Sequence, residues 1–366
     1  MPITVAALKE TAAGERRVAI TPETAKKLHA FGVRVLLEHG AGAEAGFPDS
    51  AYAEADFADA DAVLAQADLL ACVMPPPDAV YERLREGAVV AGQLRPYGAA
   101  ARIVALGRRR LTAFALELLP RTARAQAMDV LSSQAAVAGY RVMLIAAEAA
   151  PKLFPMLTTA AGTLRPARVL VIGAGVAGLQ AIATARRLGA QVEGYDVRPE
   201  TREQVESLGA KFLDLGVSAA GSGGYARELS AAERAAQQQA LAEHLKALDV
   251  VVSTAAVPGR PAPVILTAAM VEGMKPGALI VDLAAESGGN CALTRPGERV
   301  AHGGVTILGP LNLPAGAPLH ASEMYARNLC HFIAPMLADG ALRPDFDDEL
   351  VAKTCISRDG EPYFRG

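Results

Sequence analysis

The stretch of this chain richest in chemistry runs from Val169 to Asp196 and reads VLVIGAGVAGLQAIATARRLGAQVEGYD. Val169–Ile172 is a short apolar run suited to a buried parallel strand. Gly173, Gly175 and Gly178 follow in G-x-G-x-x-G spacing. An Ala- and Leu-rich helix, Gly189 and a second strand then lead to Asp196. Each part has a physical task. Gly173 permits a tight turn, Gly175 lets the backbone approach a pyrophosphate with no Cβ in the way, and Gly178 lets the helix pack closely. The helix start presents N–H groups and the positive end of a dipole to phosphates. Asp196, 18 residues after Gly178, can accept from both hydroxyls of an adenosine ribose and would repel a 2′-phosphate. A lone glycine motif is often just a tight turn. Strand, glycines, helix, second strand and acid in register predict a dinucleotide site, for NAD(H) rather than NADP(H).

The elements that must position this loop are legible as well. A chain of 366 residues predicts two domains, and 51% hydrophobic with 20% charged residues is enough to fill real cores. A net charge of −3, with no basic tract, argues against a nucleic-acid partner. Four scattered cysteines, Cys72, Cys291, Cys330 and Cys355, fit a reducing compartment and argue against structural zinc; no metal site is expected. No secretory signal opens the chain, and no run reaches the ~18 apolar residues of a membrane helix, so a soluble polypeptide is expected. Apolar runs at Ile3–Leu8, Val33–Leu37, Leu69–Val73, Ala88–Gly92 and Leu111–Ala115 alternate with helical segments such as Thr21–Ala30. That is a parallel-sheet signature. A helical pattern then runs from Arg124 to Ala150, and further strands are predicted at Val250–Thr254, Ala278–Leu283 and Val305–Leu308. The fold class expected is α/β: two Rossmann-like domains with parallel doubly wound sheets, a cleft between them and a long linking helix. The expected division is 1–125 plus 322–366, without a glycine fingerprint, then 126–160 as linker and 161–321 as the NAD(H)-binding domain. A final amphipathic helix, Ala321–Leu337, is expected to return to the first domain.

Two further segments carry candidate chemistry. Asp214–Ser230, DLGVSAAGSGGYARELS, reads equally as a surface connection or as a mobile flap with Tyr225 as its contact. Residues 117–140, ELLPRTARAQAMDVLSSQAAVAGY, place Arg121, Gln126, Asp129 and Ser132 near the start of the long helical pattern. The last three share roughly one helix face. By residue type alone they are ordinary capping and surface groups.

This second segment resembles the nucleotide-contact loop of domain I in the proton-translocating NAD(P) transhydrogenase family, of the alanine dehydrogenase–transhydrogenase superfamily. RRVAITP (16–22), RPETREQVESLGAKFL (198–213), GGYARE (223–228), TAAVPGRPAP (254–263) and PGALIVDLAAESGGN (276–290) are similar to the same domain, so the likeness spans nearly the whole chain. The resemblance implies that Arg121, Gln126, Asp129 and Ser132 serve the nicotinamide end. It implies that Gly173, Ala174, Gly175, Val176, Gly178, Asp196, Val197 and Arg198 hold adenosine and pyrophosphate, with Tyr225 as a flap contact. Thr254, Ala255, Pro263 and Asp282 come near the nucleotide on the same grounds. It further implies direct hydride transfer between NAD(H) here and NADP(H) on domain III of a β subunit, coupled to proton translocation in membrane-spanning partners. A homodimer at the inner face of the cytoplasmic membrane is implied too, and the chain's end at Gly366 matches a split, three-polypeptide arrangement.

Alanine dehydrogenase is the nearest rival. That family needs a lysine and a histidine in its first domain for a 2-oxo acid. The corresponding stretches here, ACVMPPP (71–77) and GQLRPYG (91–98), contain neither, and Glu286 stands where that family has a catalytic aspartate. A non-catalytic NAD sensor is the third reading, opposed by the grouping of Arg121, Gln126 and Asp129.

Overall fold

The computed structural model describes residues 2–97, 99–216, 230–256, 259–338 and 341–363. In chain order, β1 (Thr4–Ala7), α1 (Pro22–Ala30), β2 (Arg34–Glu38), β3 (Asp56–Ala58), α2 (Ala60–Gln66), β4 (Leu69–Ala71), α3 (Asp78–Arg83), β5 (Val89–Gly92), α4 (Ala100–Arg108) and β6 (Thr112–Ala115) come first. After α5 (Val130–Ala149), the strands β7 (Leu157–Thr159) and β8 (Gly162–Leu164) form a hairpin. Then follow β9 (Arg168–Ile172), α6 (Val176–Arg187), β10 (Gln191–Tyr195), α7 (Thr201–Ser207), β11 (Lys211–Phe212), α8 (Ala231–Leu245), β12 (Val250–Ser253), α9 (Ala268–Glu272), β13 (Leu279–Asp282), β14 (Arg299–His302) and β15 (Val305–Leu308). The chain closes with α10 (Pro318–Ile333), β16 (Leu337–Ala338), β17 (Ala341–Leu342), α11 (Glu349–Thr354), β18 (Cys355–Arg358) and β19 (Glu361–Pro362). These elements make two compact units, Met1–Gln134 with Ala315–Gly366 and Ala135–Pro314. The division falls inside α5.

In the first unit the strand order is β19-β18-β6-β5-β4-β1-β2-β3. The sheet is parallel from β6 to β3, and β18 and β19 extend it antiparallel. Its strands are short apolar runs because both faces are covered. Val5, Ala7, Leu69, Ala71, Val89 and Ala91 pack on one face with Tyr325, Leu329 and Phe332 of α10, while Ala6, Leu70 and Val90 serve the other. The period-two alternation of a strand does this sorting. α1 starts where the sequence says it must, with Thr21 and Thr24 in a reciprocal capping box and Pro22 in the first turn.

The second unit has the order β11-β10-β9-β12-β13-β15-β14, parallel except for β14 against β15. Val169, Val171, Val250, Val252, Leu279 and Val281 face one core, and Leu170, Ile172, Val251 and Ile280 face the other. β9 has β10 on one side and β12 on the other, so the sheet changes winding direction at its carboxyl end. Such a switch point is where open α/β sheets take ligands.

The strands expected from apolar runs form within two residues of the predicted ends. The long helical pattern does not hold as one helix. Gln126–Met128 is a 3-10 turn, Asp129 leaves helical geometry at ψ 89°, and α5 begins at Val130. α5 is also the one helix among the described residues long and apolar enough to cross a membrane, by length and composition. Part of that apolarity serves packing, with Ala138, Val142, Met143 and Ala146 in the second unit's core.

The first sheet has its own switch point, between β1 and β4. There the side chain of Glu10 accepts from the N–H groups of Val73 at 2.5 Å and Met74 at 3.3 Å, the donors that follow β4. Burial pushes the Glu10 carboxyl up to about 7 against the pull of those N–H groups, with Glu15 adding repulsion and Arg17 attraction. The neutral form is therefore favoured in the folded state. Its contribution to stability is complete below the ordinary value of 4.5 and is lost as pH rises through about 7. Glu10→Gln removes this titration, so wild type should lose stability relative to the variant between pH 5 and pH 8 in thermal unfolding. Each tenfold change in proton affinity is worth about 1.4 kcal/mol, and a difference that does not change with pH would contradict the assignment.

Candidate functional site

At the carboxyl end of β9 the chain turns through Gly173, whose φ of +95° belongs to the left-handed region. Its N–H donates to the Tyr195 carbonyl at 2.7 Å. A Cβ on Gly173 would lie 2.6 Å from Thr254 Oγ1, and Thr254 Oγ1 itself donates to the Gly173 carbonyl at 3.0 Å. A Cβ on Gly178 would lie 1.7 Å from that same carbonyl. The third glycine thus lets α6 close onto the loop rather than onto the strand itself. Gly175 is different in kind: a Cβ there meets nothing within 4 Å. Gly175 is the N-cap residue of α6, and no side chain caps the helix. The first-turn N–H groups and the dipole therefore face a space that a side chain would narrow, which fits the pyrophosphate of a dinucleotide. Ala174 is buried behind this turn, and Val176 is exposed as the first helical residue.

Asp196 stands immediately after β10, with its carboxylate almost wholly buried. It accepts from Ala174 N–H at 2.8 Å, tying the glycine loop to the neighbouring strand. It also accepts from the Arg198 backbone at 2.9 Å and from the guanidinium at 2.9 and 2.8 Å. Burial opposes the charge, yet the Arg198 guanidinium and the two N–H donors outweigh it and hold the carboxyl below its usual range. Arg198 accordingly enters the site as half of an ion pair, not as a lone cation for a 2′-phosphate. Val197, between them, leans on the core beside Tyr195.

The floor of the loop after β12 rests on Asp282, at the end of β13. Asp282 is fully buried and accepts from five donors: Ser253 Oγ, Ala284 N, Asn290 N, Cys291 N and Thr294 Oγ1, all at 2.7 to 3.1 Å. That makes it a strut beneath the loop, with no surface left for a nucleotide. Ala255 and Pro263 are held by Asn290, a residue that residue type and spacing do not mark as part of the site. The one signal available in sequence is a polar amide closing the otherwise apolar and glycine end of the 276–290 string.

Arg121, Gln126, Asp129 and Ser132 belong to the first unit. Arg121 and Gln126 are exposed. Asp129 and Ser132 are brought together, but not with Gln126 on one helix face, because the helix has not begun at Gln126. Asp129 turns its carboxylate onto the first turn of α5, accepting from Ser132 N–H at 2.9 Å and Ser132 Oγ at 2.6 Å. The 3-10 turn before it is held by Asn328 of α10, which donates to the Ala127 carbonyl at 2.8 Å. Tyr225, and with it most of Asp214–Ser230, lies outside the described residues. The stretches that would have to carry a lysine and a histidine are occupied by other bonds. Glu10 holds Val73 and Met74, and Glu117 accepts from Leu94 N–H at 3.1 Å and Arg95 N–H at 2.5 Å. Glu286 accepts from Asn312 N–H at 2.5 Å.

Comparison with known proteins covers almost the whole chain. The family model described as alanine dehydrogenase/PNT, N-terminal domain matches residues 6–138, and the one described as alanine dehydrogenase/PNT, C-terminal domain matches residues 142–364. The first part of NAD(P) transhydrogenase subunit alpha from Rhodospirillum rubrum is 45% identical over 370 residues, 97% of this chain and 96% of that protein. A crystal structure of transhydrogenase from Sinorhizobium meliloti matches with a TM-score of 0.90 at 43% identity, covering 98% of this chain and 99% of that one. Alanine dehydrogenase of Mycobacterium tuberculosis is more distant, 32% identical over 299 residues, 78% of this chain and 74% of that protein.

The glycine geometry separates two substitutions that look alike in sequence. Gly178→Ala forces a backbone carbonyl to move and should destabilise the unliganded protein by about 1–3 kcal/mol. Gly175→Ala meets open space at φ −81° and should change stability by less than about 1 kcal/mol. Thermal unfolding without nucleotide tests both, and equal losses would contradict the geometry.

Proposed function

The chain belongs to the alanine dehydrogenase/PNT family, and from that membership we propose that it is the NAD(H)-binding subunit of a proton-translocating transhydrogenase. The observation that carries the proposal is the uncapped start of α6 at a switch point, with Gly175 open to it and Asp196 beside it. The full-length relatives named NAD(P) transhydrogenase subunit alpha support it. The alanine dehydrogenase reading draws less support, since its relatives are more distant and the stretches it requires contain neither lysine nor histidine.

In this reading hydride passes from C4 of the nicotinamide bound here to C4 of an NADP⁺ on a partner subunit, the two rings exchanging one hydride and no group of the chain changing covalently. The chain's own residues bind, orient and exclude water. Gly173 to Gly178 and the α6 N–H groups take the pyrophosphate, and Asp196 takes the adenosine ribose. Gln126 and Arg121 serve the nicotinamide end, with Asp129 and Ser132 fixing the turn that carries Gln126. Tyr225 closes over the nucleotide. NADP(H) sits on domain III of a β subunit, and proton translocation belongs to membrane-spanning partners that hold this chain at the inner face of the cytoplasmic membrane. The chain acts as a homodimer. Exposed Leu153, Met156, Leu157 and Leu164 around the β7–β8 hairpin, and an apolar α5 less than half buried in its own chain, support a second copy as their cover.

Fluorescence titration with the two reduced nucleotides tests the site. Wild type should bind NADH at least about tenfold more tightly than NADPH, the equivalent of ~1.4 kcal/mol, because a 2′-phosphate would meet the Asp196 carboxylate. Asp196→Ala removes that charge and releases Arg198, so NADPH should gain on NADH by a similar factor. Equal affinities in wild type would overturn the assignment of Asp196.

A further inference from the structure

We propose that Asn290 is a positioning residue for the dinucleotide site: its amide fixes Ala255 and Pro263, and through Thr254 it sets the floor against which the glycine loop is held. The inference rests on the NAD(H)-binding reading of the second unit.

The regular pairing of β12 with β13 ends at Ser253 opposite Asp282. Beyond that point Thr254 and Ala255 continue without a strand beside them, although this is where β12 approaches the glycine loop. Asn290 supplies the missing partner. Its Oδ1 accepts from Ala255 N–H at 3.0 Å, and its Nδ2 donates to the carbonyls of Ala255 at 2.8 Å and Pro263 at 2.9 Å. A carboxamide carries an acceptor and two donors in one plane, so it can pair with both backbone groups of Ala255 as a neighbouring peptide would. Its own backbone is equally committed. The N–H donates to Asp282 Oδ2 at 2.7 Å, and the carbonyl accepts from Ile265 and Leu266 at 2.8 and 2.9 Å. Asn290 is wholly buried with every polar group in use.

The connection onward is short. Thr254 N–H donates to the Ile172 carbonyl at 2.8 Å, and Thr254 Oγ1 donates to the Gly173 carbonyl. The carboxyl ends of β13, β12 and β9 are thus tied in series by Asp282, Asn290 and Thr254. A small displacement of Ala255 carries Thr254 with it and changes the contact that defines the glycine turn. Because orientation errors near 1 Å are costly at such sites, Asn290 acts on nucleotide binding without touching the nucleotide.

Asn290→Asp is the discriminating variant. It keeps the volume and the acceptor for Ala255 N–H, but when ionised it turns an oxygen toward two carbonyls. In the full chain we expect NADH affinity at pH 8 to fall at least tenfold by fluorescence titration, and the deficit to shrink as pH is lowered toward 5.5, where a protonated carboxyl regains one donor. Asp282 also faces this group, so the pH profile of wild type is the reference. A purely structural role would lower the melting temperature and leave the affinity of the folded, stoichiometrically titrated protein unchanged. If Asn290→Asp does not fold, Asn290→Ser, which leaves room for water, takes its place with the same expected loss. Wild-type affinity in a folded variant at pH 8 overturns this inference alone. Failure of wild type itself to bind NADH overturns the NAD(H)-binding reading and the inference together.

Discussion

A helix that begins without a side-chain cap leaves backbone N–H groups that something else must satisfy, and at α6 the surrounding structure is organised around that deficit. Gly175 contributes no side chain and leaves open space in front of the turn. Gly173 bends the chain away through a conformation few other residues adopt, and Gly178 brings the helix so near that any Cβ would strike the Gly173 carbonyl. Asp196 and Thr254 then hold the loop from the two neighbouring strands. Substituting any of these positions changes the place where an anion would sit, which is why the proposed function depends on this one interaction more than on any catalytic side chain.

The two sheets answer the same topological situation in opposite ways. Both change winding direction at a central strand, and a switch point in such a sheet is a natural ligand crevice. In the second unit the crevice is kept open by glycine. In the first, Glu10 places its own carboxylate on the N–H groups after β4, and Tyr325 ties the adjacent strand ends by donating to the Cys72 carbonyl and accepting from Gln93 N–H. Nearby, Arg17 is bound in a buried pair with Glu15 and donates to Gln134 at 2.8 Å. The first unit is internally liganded where the second awaits a ligand. That contrast explains how one chain can carry two similar sheets and a single glycine fingerprint.

Much of the fold is legible in the sequence because it rests on short-range patterns. Parallel strands buried on both faces need continuous apolar runs, so β1, β4, β5, β9, β12 and β13 announce themselves, and Thr21 with Pro22 marks the start of α1. Strands exposed on an edge carry no such signal. β3, β14 and the β7–β8 hairpin are short, polar or solvent-facing, and no apolar run reveals them. The break at Asp129 is hidden for a different reason. Its cause is a capping hydrogen bond to Ser132, a tertiary choice between continuing a helix and restarting it. The glycine loop and Asp196 are readable from spacing alone. Asn290 is not, because an asparagine that replaces a strand partner looks in sequence like any loop asparagine. The Arg198–Asp196 pair likewise needs coordinates, since sequence gives proximity but not which charge is already neutralised.

The central claim is direct hydride transfer from a nucleotide held by this chain, and isotope transfer tests it most directly. NADH deuterated at the transferable C4 position is bound to the purified chain and mixed with NADP⁺ on an NADP(H)-binding transhydrogenase subunit. The account predicts that deuterium is recovered at C4 of NADPH, with none lost to solvent. Oxidation of the NADH with the label appearing in water, or no transfer while alanine and NAD⁺ are converted to pyruvate and NADH by the chain alone, would contradict it.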